Sequence, residues 1–122
     1  MYKRQALCTN QGNNNVAVGA LALDKNAAAD NNTAVGTLAL ACNTTGTANV
    51  AVGHSALDAN TTGANNVAVG FNSMSSNTTG SDNTSTGVES LVSATTAASN
   101  AAFGRQAMCK LLQVLILSLI HI

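Results

Sequence analysis

The sequence predicts an all-β parallel β-solenoid of six 17-residue coils, from three observations: two unbroken residue columns at a fixed step, an aliphatic column at the same step, and a composition too poor in aromatic and charged residues for an ordinary core. Gly19, Gly36, Gly53, Gly70, Gly87 and Gly104 are each seventeen residues apart. Asn15, Asn32, Asn49, Asn66, Asn83 and Asn100 keep that step four residues earlier. Leu23, Leu40, Leu57, Met74, Leu91 and Met108 place a long aliphatic side chain in every unit. Units begin at Gly12, Ala29, Gly46, Gly63, Gly80 and Ala97, and no gap is needed up to Met108. A fixed period of this kind marks repeat architectures, in which each unit buries its apolar face against the next.

Composition agrees. Aromatic residues make up 2% and charged residues 8% of the 122, against roughly 25% charged in average soluble domains. The 46% apolar share is mostly Ala, Val and Leu, so the core must be thin. A disordered chain of low hydrophobicity would carry high net charge and lack regularly recurring Val and Leu; here the formal charge is zero.

Within a unit, Asn49-Val50-Ala51-Val52-Gly53 alternates with period 2, which suits a short half-buried strand, and β-branched Val favours it. The sequence reading puts Val50 and Val52 on the inner face and Ala51 on the outer. A second short strand is expected to end at Ala56-Leu57. Asn60-Thr61-Thr62-Gly63 then supplies turn residues. Recurrent Gly, β-branched residues and Asn-Thr clusters oppose a helix. Parallel coils stack at about 4.8 Å, so identical columns become ladders. The Val and Leu columns would make a dry stripe, and the Asn column an amide ladder like those of cross-β structures.

The pattern N-[VT]-A-V-G-x-x-A-L, as in Asn15 to Leu23, Asn32 to Leu40 and Asn49 to Leu57, resembles the head repeats of YadA-type trimeric autotransporter adhesins. The following N-T-T-G is also similar to repeats of phage and bacterial tail fibres. The resemblance covers about residues 12–108. It implies a left-handed β-roll, three chains side by side, displayed on a bacterial surface or a virion tail and attached to a host surface glycan or protein. Two departures stand out: the 17-residue unit is longer than the usual head repeat, and the fifth unit replaces both Val with Thr84 and Thr86.

The organisation read from the sequence is a repeat domain over 6–108 between two foreign ends. Residues 1–5 and the run Leu117-Ser118-Leu119-Ile120-His121-Ile122 look like translated adapter sequence, and 109–122 reads as a frameshifted tail. The aliphatic run from Leu111 to Ile120 is about half the roughly 20 residues that span a membrane as a helix, so this segment is not expected to insert. Independent nucleotide reads that continue in frame through Ile122 would contradict the foreign-end reading. On that reading the natural protein is longer at both ends.

Candidate chemistry is sparse, and no enzyme, cofactor or metal site is expected. His54, Ser55 and Asp58 occur together in one unit only and lack an oxyanion-hole motif. Cys8, Cys42 and Cys109 share no column and have no partners at metal-ligand spacing. Asp24, Asp30, Asp58 and Asp82 do not form the repeated Asp pattern of calcium-binding nonapeptides. Between Asn10 and Gly104 there is one base, Lys25, against five acids, which disfavours a phosphate-binding groove and hence nucleic acid.

Two function classes follow. The leading expectation is an extracellular structural or adhesive fibre segment. The alternative is an ice- or crystal-binding solenoid, suggested by the paired columns Thr44, Thr61, Thr78, Thr95 and Thr45, Thr62, Thr79, Thr96, although adjacent strand residues point to opposite faces. The position after the fixed Gly varies freely, as Ala20, Thr37, His54, Phe71, Val88 and Arg105. It should be exposed, either as an unselected loop, since loops tolerate variation without binding anything, or as a candidate recognition column of Thr37, His54, Phe71, Val88 and Arg105. The Asn and fixed-Gly columns are read as structural. Because so small a core looks marginal alone, a homotrimer is expected, with neighbours covering the face of Ala17, Ala34, Ala51, Ala68, Ser85 and Ala102. The number three comes from the family resemblance.

Overall fold

The computed structural model describes residues 5–109. The expectations for the two ends therefore fall outside the described residues, Gln5 and Cys109 apart.

Each unit contributes one three-residue strand: β1 (Val16–Val18), β2 (Thr33–Val35), β3 (Val50–Val52), β4 (Val67–Val69), β5 (Thr84–Thr86) and β6 (Ala101–Phe103). They form one sheet in chain order, β1-β2-β3-β4-β5-β6. All neighbours are parallel, and each residue pairs with its counterpart one unit later, as in Val50↔Val67, Ala51↔Ala68 and Val52↔Val69. The fold is thus an all-β parallel solenoid with the repeat spacing read from the sequence.

Each strand ends at the fixed glycine, whose φ lies between 113 and 138° in all six units, a conformation that side chains with a Cβ rarely adopt. Stacking adds a second reason. A Cβ on Gly53 would come within 2.5 Å of the Gly70 carbonyl oxygen.

The strand faces are the reverse of those read from the sequence. Ala34, Ala51, Ala68, Ser85 and Ala102 are buried, whereas Val16 and Val18 are more than half exposed and Val52 lies on the surface. The small residues point inward because the core directly opposite is filled by other groups. The strand alanines share one core cluster with a second set of small residues, Ala22, Ala39 and Ala56, and with the Leu/Met column, while Ser73, Ser90 and two rows of Asn are buried in the same coils. A β-branched side chain facing that way would overfill so narrow a section. The larger Val is left for the outer face.

The second strand is also absent. The stretch after the glycine is a succession of turns, such as Ala39 N–H to Gly36 O (3.2 Å), Ala41 N–H to Leu38 O (3.3 Å) and Asn43 N–H to Leu40 O (3.2 Å). Alternate residues there are left-handed: Leu38 and Leu40 have φ of 63° and 52°, and Ser55 and Leu57 of 55° and 52°. Such residues curl the chain where a strand would extend it. The coils are still joined, because Leu38 N–H donates backward to Ala20 O (3.0 Å) and Leu40 N–H forward to Ala56 O (3.0 Å).

This backbone explains a choice of residue type. The inward column Leu23, Leu40, Leu57, Met74, Leu91 and Met108 is left-handed throughout, with φ from 51 to 53°. β-Branched residues fit that region badly, so the column takes Leu or Met and never Val or Ile. The other two left-handed positions of the unit, those of Ser55 and Ala48, likewise carry no β-branched residue in any coil.

Candidate functional site

The most highly organised part of the molecule is internal. The first five Asn of the predicted column each accept, through Oδ1, the backbone N–H of the Asn one coil later: Asn15 from Asn32 (2.8 Å), Asn32 from Asn49 (2.9 Å), Asn49 from Asn66 (3.0 Å), Asn66 from Asn83 (3.1 Å) and Asn83 from Asn100 (3.0 Å). The side-chain amide donates to the carbonyl that opens the next unit, as Asn32 to Gly46 (2.9 Å) and Asn49 to Gly63 (2.8 Å). Asn32, Asn49, Asn66 and Asn83 are fully buried. They satisfy backbone groups that would otherwise be stranded away from water, each a cost of about 1 to 3 kcal/mol.

A second Asn row was not separated from the turn signal in the sequence. Asn26, Asn43, Asn60 and Asn77 are fully buried, and each amide reaches the Oδ1 of the previous coil: Asn43 to Asn26, Asn60 to Asn43 and Asn77 to Asn60, all at 2.9 Å. The same nitrogen donates to the carbonyl three residues on, as Asn43 to Gly46 (2.9 Å) and Asn60 to Gly63 (3.0 Å). Gly46 O and Gly63 O thus collect one amide from each row. The readable signal was the fixed step of the N-T-T-G asparagine, which breaks at Ala94.

Outside, the structure leaves Thr37, His54, Phe71, Val88 and Arg105 exposed, with Ala20 partly covered. Phe71 and the ring of His54 from the preceding coil stack, with centroids 5.6 Å apart and planes 27° apart. Beside this column runs the outer strand face, with Val16 (51%), Val18 (57%), Val52 (36%) and Phe103 (68%) exposed. Six strands at about 4.8 Å make this surface roughly 24 Å long. It is largely apolar, and among the described strands only Thr33, Thr84 and Thr86 interrupt it with hydroxyls.

The Thr columns differ from each other. Hydroxyls of the first row are taken up by the next coil: Thr44 to Thr61 O (3.0 Å), Thr61 to Thr78 O (3.0 Å) and Thr78 to Thr95 O (3.1 Å). Thr45, Thr62, Thr79 and Thr96 remain exposed.

His54, Ser55 and Asp58 do not assemble as a triad would. His54 Nδ1 lies 3.0 Å from Ser55 Oγ, whereas a triad histidine offers Nδ1 to the carboxylate. Burial pushes the Asp58 carboxyl above its ordinary value, opposed in part by the N–H groups of Ala59 and of Asp58 itself and by His54. Cys8, Cys42 and Cys109 are free thiols in separate surroundings. Among the described residues no three His, Cys, Asp or Glu side chains converge as a metal site would require, and no helix is long and apolar enough to cross a membrane.

No protein-family model matches the chain, and no curated protein or solved structure matches it.

Proposed function

We propose that this chain is a segment of an extracellular structural and adhesive fibre, of the kind found on bacterial surfaces or virion tails, that works as a homotrimer attached to a host surface glycan or protein. The observation that carries the reading is the outer strand face: a largely apolar ladder, stacked in register from coil to coil and interrupted at Thr33, Thr84 and Thr86. Continuous apolar patches beyond a few hundred Å² mark interaction surfaces, and a repetitive one fits a repetitive partner, of which a second copy of the chain is the simplest. The covered face is therefore that of Val18, Val35, Val52 and Val69. The alanine face expected from the sequence lies inside the coil and cannot serve. The trimer number still comes from the family resemblance. The column of Thr37, His54, Phe71, Val88 and Arg105 flanks this face and is the part left for the host surface.

Sedimentation of the chain at micromolar concentration tests the association. It should behave as a trimer, and Val52→Lys with Val69→Lys should give a folded monomer; a monomer from the unaltered chain removes the basis of the proposal. Adhesion to cells or glycans should fall when His54, Phe71 and Arg105 are replaced by Ala together, and binding that survives would discard the recognition column.

One observation favours an ice- or crystal-binding solenoid, the exposed row Thr45, Thr62, Thr79 and Thr96. A single row offers a narrow surface, since the neighbouring hydroxyls are committed to backbone carbonyls. Measurable thermal hysteresis would favour this second reading.

A further inference from the structure

The inner Asn row ends at Ala94, and the chemistry at that end is specific. In an intact rung one amide nitrogen spends both of its hydrogens: Asn60 Nδ2 donates to Asn43 Oδ1 (2.9 Å) and to Gly63 O (3.0 Å). Asn77 repeats this toward Asn60 Oδ1 (2.9 Å) and Gly80 O (3.1 Å). The next residue in the row would be at position 94, where the chain has Ala, 3% exposed. By register its amide would have met Asn77 Oδ1 and, three residues on, the Ala97 carbonyl. Asn77 Oδ1 is, among the described residues, the one buried side-chain oxygen or nitrogen with no hydrogen-bond partner. The Ala97 oxygen accepts only from Asn83 Nδ2 (2.8 Å) among the described side chains. The two oxygens are close together, since a Cβ built on Gly80 would be 2.1 Å from Ala97 O and 2.4 Å from Asn77 Oδ1.

We infer that one buried water molecule binds against Ala94, donating one hydrogen to Asn77 Oδ1 and the other to the Ala97 carbonyl. A water offers two donors from one atom, as the missing amide nitrogen does, and replacing Asn by Ala removes about the volume it needs. Buried waters typically occupy such polar sites and satisfy otherwise unpaired groups. An ammonium ion is a poorer occupant, because two neutral oxygens do not compensate a buried charge.

Diffraction from crystals of the unaltered protein tests this directly. A water peak should lie about 2.7 to 3.1 Å from both oxygens. An unoccupied map there, or an Asn77 side chain turned to a different donor, overturns the inference. Two variants give a second readout. Ala94→Asn should displace the peak and leave the unfolding midpoint unchanged or higher. Ala94→Val should displace it too but lower the midpoint, since it strands both acceptors; if the site is dry, Val fills space and raises the midpoint, which also overturns the inference. Should either variant fail to fold, the map of the unaltered protein decides.

Discussion

The backbone N–H of Asn49 donates to Oδ1 of Asn32, its counterpart one coil earlier, at 2.9 Å. Asn49 in turn accepts both the N–H and the side-chain amide of Asn66, at 3.0 and 3.1 Å. One residue thus links three successive coils, through its backbone N–H to the coil before and through its side chain to the coil after. Asn49→Ala strands the Asn66 N–H and leaves a small void, so the loss should be about 2 to 4 kcal/mol. Urea unfolding measures it, and a change under about 0.5 kcal/mol, the usual range of surface substitutions, would show the row to be passive packing.

Leu57 should not tolerate β-branching. Its φ is 52° and it is fully buried. Leu57→Val adds β-branching in a region where β-branched residues are outliers and removes a methylene, together about 2 to 4 kcal/mol. Leu57→Met, the residue found at Met74 and Met108, should cost less than about 1.5 kcal/mol. Equal costs for Val and Met would mean that volume alone governs the column.

Ser73 and Ser85 replace two of the inward alanines as a pair. Ser73 Oγ donates to Ser85 Oγ at 2.9 Å, and Ser85 Oγ donates to Ser90 O at 3.0 Å. Ser85→Ala alone should cost about 1 kcal/mol. The double change to Ala restores the side chains of the other coils, so it should cost less than the two single changes together. A double-mutant cycle with a coupling near zero refutes the linkage.

Asp58 should weaken the fold as pH rises. Burial raises its folded pKa, so the folded state holds a proton that the unfolded state has already released. The penalty begins at the ordinary carboxylate value, grows up to the raised folded value and is complete above it. Asp58→Asn should therefore raise the unfolding midpoint at pH 7, with the difference shrinking in acid. A gain that does not depend on pH would point to a cause other than the carboxyl.

The period, the fixed Gly and the Leu column were legible because each recurs without a gap. The direction of the strand faces was not, since Val-Ala-Val alternation has two faces and nothing in the triplet says which one meets the core. Hydrophobicity pointed to Val; the available width selected Ala51 and its counterparts. The left-handed stretch hides in the same way, because its signal is the missing β-branching at Leu57 and Ser55 rather than any residue present. For the recognition column, variability foretold that His54 and Phe71 would be exposed. Their stacking depended on which variable residues happened to be adjacent, and that has no periodic signature.

The buried amides also decide where such a chain can be made. Asn43-Thr44-Thr45, Asn60-Thr61-Thr62, Asn77-Thr78-Thr79 and Asn83-Thr84-Ser85 each match the N-x-[ST] acceptor of N-linked glycosylation. In all four the nitrogen that would carry the sugar gives both hydrogens to oxygens inside the coil, as Asn60 does to Asn43 and Gly63, or Asn83 to Asn66 and Ala97. A bulky glycan added to the emerging chain would remove one of those donors and could not fit inside a core walled by alanine. A glycan attached to any of these four before folding would therefore block the coil, and chain made in a host that leaves the asparagines bare should fold where a glycosylated one does not.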